Sequence, residues 1–139
     1  FITGAKKTQL SEDEIIVAVK IPKVDFTYAL YKKIGTRKAN AISKLSLSAL
    51  VTVEEGIITD FRASSGAAGP KVARSKEVEE LIIGKKCSEI GPLIPSLVKG
   101  WDSVISPHAM PVYRRATTGR LLEAFLTWVA SCPQEKFFY

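Results

Sequence analysis

Histidine is almost missing from this sequence and cysteine is scarce: His108 is the only imidazole, and Cys87 and Cys132 are the only thiols among 139 residues. A metal centre draws on several His, Cys, Asp or Glu ligands set close together, and no such set is visible, so no metal site is expected. An iron–sulfur cluster takes about four cysteines, which excludes one here. The cysteines lie far apart with no CxxC spacing. They could pair, but the reading that fits a chain of this size is two reduced, structural thiols in a cytoplasmic, reducing setting. No GxSxG elbow accompanies His108, so a triad of Asp102, His108 and Ser103 or Ser106 lacks its structural frame. His108 reads instead as a polar residue in a helix-entry loop. The chain has neither a P-loop nor a GxGxxG turn. Its apolar stretches, such as residues 45–53, are far too short to span a bilayer, and the front carries no basic region followed by an apolar one. The sequence opens at Phe1 already inside a patterned segment, which suggests one piece of a longer polypeptide.

What is present describes one packed domain over residues 1–139, with 46% hydrophobic and 24% charged residues. The net charge of +6 is spread along the chain, and acids interrupt it. One dense basic run stands out: Lys32, Lys33, Arg37, Lys38 and Lys44. Nucleic-acid binding is disfavoured by that dispersal. A loop facing a phosphate-bearing cofactor or an acidic partner explains the run as well. Glu54 and Glu55, and Glu77, Glu79 and Glu80, read as a turn and a solvated helix start rather than as paired acid and base groups.

The first half has the period of two that marks strands with one buried face. Ile15, Val17, Val19 and Ile21 alternate with Ile16, Ala18 and Lys20 until Pro22. Phe26, Tyr28, Leu30 and Lys32 alternate with Thr27, Ala29 and Tyr31. Leu45, Leu47, Ala49, Val51 and Val53 share a face, with Ser46, Ser48 and Thr52 opposite. Glu54, Glu55 and Gly56 then supply a turn into a returning strand over residues 57–63. The second half reads as helices. Ser75 is a candidate N-cap, Val78, Leu81 and Ile82 give an apolar stripe, and Gly84 is a stop. Residues 89–99 make a weaker helix restricted by Pro92 and Pro95. Pro111 opens a third, with Tyr113, Ala116, Leu121, Ala124, Phe125, Trp128 and Val129 as its apolar face and Cys132-Pro133 as its end. The tail, residues 134–139, is expected to be loosely ordered. Strands first and helices second predict an α+β fold: an antiparallel sheet of three to four strands with about three helices packed on one face.

Four ordered blocks resemble a known family. The entry runs from Phe1 to Thr8, with Leu10, Asp13-Glu14-Ile15-Ile16 and a closing Ile21-Pro22. Tyr31-Lys32-Lys33-Ile34-Gly35-Thr36-Arg37-Lys38-Ala39, then Ala41-Ile42-Ser43, is similar to the pattern Y-x-K-x-G-x-R-x-A-x-x-I-(A/S). Arg62-Ala63-Ser64-Ser65-Gly66-Ala67-Ala68-Gly69-Pro70 and Tyr113-Arg114-Arg115 complete the set. Together they cover most of the chain and resemble the C-terminal domain of the FAD-binding subunit of molybdenum hydroxylases, the xanthine dehydrogenase and carbon monoxide dehydrogenase group. One departure is His108-Ala109-Met110, where the family places a capping hydroxyl before its Y-R.

The resemblance implies a place in an electron-transfer chain. A molybdenum-cofactor subunit oxidises a substrate, 2Fe-2S clusters in an iron–sulfur subunit carry the electrons, and FAD passes them to NAD or another acceptor. The resemblance places the main FAD contacts, including the pyrophosphate loop, in a preceding N-terminal FAD-binding domain. It makes this chain part of an oxidoreductase, with no catalytic residue of its own. Lys33 matches the family lysine beside the flavin, with Lys32 carried as the alternative; on a strand the two point to opposite faces. Arg37 matches the family arginine, which anchors the loop or meets an acidic group. Ile16 matches an apolar flavin contact, with a place in the core as the competing reading. Tyr113 and Arg114 read as structural, holding the last helix to the sheet. Two other functions compete: a free-standing protein-binding or assembly module, and a nucleic-acid binder.

Overall fold

The computed structural model describes residues 1–37 and 39–138. A short antiparallel hairpin comes first, β1 (Ile2–Gly4) with β2 (Lys7–Thr8). The main sheet follows as β3 (Tyr28–Gly35), β4 (Ser43–Glu54) and β5 (Ile57–Gly66), a meander in which each strand is antiparallel to the last. The β4–β5 turn is tight because Glu55 and Gly56 both take positive φ, 51° and 80°, the geometry whose twist matches a two-residue hairpin. Then come α1 (Lys76–Glu79), two 3₁₀ turns, α2 (Ile94–Val104) and α3 (Pro111–Ala130). A last strand, β6 (Phe137–Phe138), completes the sheet in the order β5-β4-β3-β6.

The helices bury one face of the sheet. Leu30, Leu45, Leu47, Ala49, Val51, Phe61 and Ala63 point into that side, and Val78, Ile94, Leu97, Trp101, Leu122, Phe125, Leu126 and Val129 meet them from the helices. Fully burying such a side chain stabilises by roughly 1.5–3 kcal/mol, so this layer carries the fold. The α+β architecture and the three antiparallel strands agree with the alternation in the sequence.

Four details differ from the sequence reading. Residues 15–21 form no strand, and Ile15, Val17 and Ile21 are 81%, 88% and 84% exposed. A strand needs a neighbouring ladder for its N–H and C=O groups, and among the described residues none pairs with this segment. The tail is not loose: Phe137 and Phe138 pair in parallel with Ala29 and Leu30, and the Phe138 ring packs 5.4 Å from Trp128 and 6.2 Å from Phe125. Tyr139 lies outside the described residues. The expected helix at 89–99 starts later, at Ile94, and runs to Val104; Pro92 sits in a 3₁₀ turn and Pro95 in the first helical turn, where a missing N–H costs nothing. The α1 stripe is short, since regular helix ends at Glu79 although Gly84 does take φ 80°.

The buried stripe of α3 is also rotated. Thr118, Gly119, Leu122, Phe125, Leu126 and Val129 are buried, whereas Tyr113, Ala116 and Ala124 are exposed and Leu121 and Trp128 half-buried. Helix packing against α2 selects this face: a Cβ on Gly119 would stand 3.2 Å from Val98 Cγ1. The helix starts at Pro111 without a side-chain cap, its preceding residue Met110 being left-handed with φ 52°.

Candidate functional site

The side of the sheet away from the helices is built by the other half of the alternation. Its cross-strand rows are Ala29–Leu50–Arg62, Tyr31–Ser48–Ser64 and Lys33–Ser46–Gly66. Small residues, Ala29, Ser46, Ser48, Ser64 and Gly66, make up more than half of these rows, and Tyr31, Lys33, Leu50 and Arg62 stand among them. Gly66 lies close against its cross-strand neighbour: a Cβ there would stand 2.6 Å from Ser46 Oγ, so the serine hydroxyl would have to turn away. A depression of about 200 Å³ opens beside these rows, lined by Ser48, Leu50, Arg62, Ala63, Ser64 and Arg74.

Both arginines at that depression are held in place. Arg62 pairs with Asp60 at 2.7 Å. Arg74 makes a fork to Glu79, Nε to Oε1 at 2.9 Å and Nη2 to Oε2 at 2.9 Å. That bond, first among its causes, raises the Arg74 pKa above the ordinary guanidinium value. Glu79 is 3% exposed and also accepts the Ala63 N–H at 2.8 Å. A buried carboxylate is stable only with such partners.

The two lysines separate as the strand period requires. Lys33 stands opposite Ser46 and belongs to the uncovered face, while Lys32 stands opposite Leu47 on the helix side. Both are exposed. Beyond Leu30, where β6 stops, β3 is an edge strand among the described residues. Arg37 turns back on its own loop: Nε donates to the Ala39 and Asn40 carbonyls at 3.1 and 3.0 Å, and Nη2 to the Asn40 carbonyl. It anchors the loop after β3, one of the two roles considered for it. Lys38, in the same basic run, lies outside the described residues. Ile16 is not brought into this element. It sits in the segment before β3 and is 57% exposed, so a place in the core is ruled out.

Sequence reasoning did not single out Tyr31, Arg62, Ser64 or Arg74 for this face. The Ser46–Ser48 alternation was the available signal, because it marks a side of β4 that cannot be core. The imagined triad does not form. Asp102 pairs with Arg115 at 3.3 Å, Ser103 Oγ donates to the Gly100 carbonyl at 2.7 Å, and His108 is exposed. Among the described residues no three His, Cys, Asp or Glu gather as a metal site, and no helix is long and apolar enough to cross a membrane. A groove of about 520 Å³ between α2 and α3 carries that Asp102–Arg115 pair. Its charges are largely matched, and it shares no residue with the lysine-bearing strand. Arg114 Nη1 donates to the Ala67 carbonyl and ties α3 to the connection after β5, as expected of a structural residue.

Residues 29–129 match the family model described as the CO dehydrogenase flavoprotein C-terminal domain. The glyceraldehyde dehydrogenase medium chain of Sulfolobus acidocaldarius is 27% identical over 111 residues, covering 80% of this chain and 37% of that protein. Two solved structures share the fold. Carbon monoxide dehydrogenase from Hydrogenophaga pseudoflava, in a form lacking the Mo-pyranopterin moiety of its molybdenum cofactor, superposes with TM-score 0.78 and 17% identity, over 92% of this chain and 45% of that one. Quinoline 2-oxidoreductase from Pseudomonas putida 86 gives TM-score 0.76 and 15% identity, over 95% of this chain and 46% of that one. The chain thus spans less than half the length of each of these proteins.

Proposed function

Because the chain belongs to the CO dehydrogenase flavoprotein C-terminal domain family, we propose that it closes one side of the flavin pocket in the FAD subunit of a molybdenum hydroxylase. The observation that carries this reading is the uncovered sheet face, where a single lysine of the matched motif, Lys33, stands beside the small residues Ser46, Ser48, Ser64 and Gly66. That face fits FAD: small side chains leave room for a planar ring, and an ammonium group stabilises negative charge placed next to it. FAD, when bound, supplies the carrier that takes electrons from 2Fe-2S clusters and hands them to NAD or another acceptor. Lys33 holds the ring side of the cofactor, and Arg37 keeps the loop after β3 in register for it. Lys32, on the helix side, takes no part.

The segment with Ile15, Ile16, Val17 and Ile21 exposed supports a neighbour outside these residues, because single exposed apolar residues are ordinary but a run of them marks contact with another surface. In this reading the neighbour is the N-terminal FAD-binding domain, and Ile16 reaches the flavin from that junction. The molybdenum-cofactor and iron–sulfur subunits complete the assembly, in the cytoplasm. The same exposed run is what favours the second reading, a protein-binding module without a redox role.

Titration of FAD, followed by flavin fluorescence, tests the division of labour. The full subunit is expected to bind one FAD, and this 139-residue chain to bind it weakly or not at all, since the greater share of cofactor contacts belongs to the other domain. A full subunit without affinity for FAD would overturn the proposal, and tight binding by the chain alone would overturn the assignment of the main contacts elsewhere.

A further inference from the structure

The depression on the open sheet face gathers hydrogen-bond donors that no side chain takes up. Ser48 and Ser64 are cross-strand partners there, both half-buried. Among the described residues no hydrogen bond engages either hydroxyl. Arg62 stands in the next row, opposite Leu50. A guanidinium carries five N–H donors. Asp60 pairs with Arg62 at Nη2, 2.7 Å away, which leaves Nε and Nη1. Arg74 gives Nε and Nη2 to Glu79, which leaves Nη1. Both arginine side chains are 46% exposed. Glu79 is 3% exposed and also accepts the Ala63 N–H. It aims Arg74 without lining the depression, and Asp60 does not line it either.

We propose that Arg62, Arg74, Ser48 and Ser64 form a binding site for a phosphate group, carried by a dinucleotide laid along the open face or present as inorganic phosphate. A phosphate has several oxygens pointing in different directions, and here two guanidinium edges and two hydroxyls meet it from different sides. Charge-assisted bonds from arginine are the strong ones for such an anion. A carboxylate is flat and is satisfied by a single fork, as Glu79 is by Arg74. Size points the same way. The depression measures about 200 Å³, below the roughly 300–1,000 Å³ of a pocket that encloses a whole small molecule, so it takes one group of a larger ligand. The Lys33–Ser46–Gly66 row lies next to the Tyr31–Ser48–Ser64 row, and Arg62 is one row further. Rows are two residues apart along a strand, about 7 Å. A ring at Lys33 and a phosphate at Arg62 therefore fall within reach of one dinucleotide. That larger ligand rests on the flavin reading above; the phosphate site itself does not.

The test is calorimetric titration of inorganic phosphate into the full FAD subunit, with FAD bound and with FAD stripped, at one fixed ionic strength. Saturable binding is expected. Arg62→Gln, an exposed change that leaves the core and the Glu79 fork alone, should weaken it by roughly tenfold or more. Asp60→Asn, which removes the competing carboxylate from Arg62, should tighten it. Arg120→Gln removes the same charge from α3 and should change nothing. Two arms identify the source. Arg62-dependent binding to the FAD-loaded subunit, displaced by NADH, assigns the site to the acceptor's phosphate, and persistence in the presence of NADH assigns it to free phosphate. Arg62-dependent binding to the stripped subunit alone assigns it to the phosphate of FAD. Phosphate binding that ignores Arg62→Gln and Asp60→Asn in both forms would overturn the proposal, as would acetate binding as tightly as phosphate. A subunit that binds phosphate in this Arg62-dependent way but holds no FAD would sink the flavin reading and leave the phosphate site standing.

Discussion

Lys33 pairs with Ser46 across the β3–β4 ladder, and that register alone puts its ammonium on the face the helices leave open. Had the ladder slipped by one residue with β4 held in place, Lys32 would occupy that face and Tyr28 and Leu30 of β3 would turn away from the core. The buried set Leu45, Leu47, Ala49 and Val51 fixes the register, so core packing and the position of the candidate flavin lysine have one cause.

The Glu79 network should be costly to break. Glu79→Ala leaves the Ala63 N–H without its acceptor and Arg74 without its partner. Urea unfolding is expected to show a loss of roughly 2–4 kcal/mol. Glu79→Gln keeps an acceptor for Ala63 and should lose clearly less. Equal losses would place the effect in the side-chain volume rather than in the bonds.

A second comparison concerns α3. Leu122→Ala removes a fully buried side chain and should cost roughly 2–5 kcal/mol, whereas Leu121→Ala, at a half-buried position, should cost less than about 1.5 kcal/mol. Thermal or denaturant melts of the two variants check the order. A reversed order would mean that the helix is rotated from the orientation described.

That pair shows what the sequence could and could not reveal. The strands β3 to β5 were legible because each has one wet and one dry face, and an alternation such as Leu45, Ser46, Leu47, Ser48 has no other simple meaning. Helix α3 was legible as a helix, but its buried side was not: aromatic and aliphatic residues occur around much of its circumference, and only the close approach at Gly119 and Val98 selects the stripe. Residues 15–21 alternate as well as β4 does, yet alternation states what a segment would bury and not whether a partner strand is at hand. The candidate site was half legible. The motif gave Lys33 and Arg37, while Arg74 reaches the open face only through a fork to a glutamate that reads, by sequence, as a solvated helix residue.

Alkaline pH should weaken the fold through Cys87. Its thiol is held neutral to about 11, against 9.0 for an ordinary thiol. Between those values the unfolded chain has lost the proton and the folded chain keeps it, so stability falls as pH rises through this window. Tyr28, raised chiefly by burial, adds to the same trend at higher pH. Melting temperatures of reduced protein from pH 8 to about 11 should decline, and Cys87→Ala should decline less steeply. Parallel curves for the two proteins would remove Cys87 as a cause.

The midpoint potential of the bound flavin tests the central claim most directly, measured in the full FAD subunit for wild type, Lys33→Ala and Lys32→Ala. A positive charge within a few ångströms of the ring stabilises its reduced, negatively charged state by roughly 1–3 kcal/mol in a partly shielded site. Removing it at Lys33 should therefore lower the potential by about 20–60 mV for a two-electron couple. Lys32, opposite Leu47 on the other face, should leave the potential within about 10 mV of wild type, as an exposed charge far from the ring usually does. A Lys33→Ala subunit with unchanged potential and full FAD content, or a larger shift for Lys32→Ala, would contradict the account.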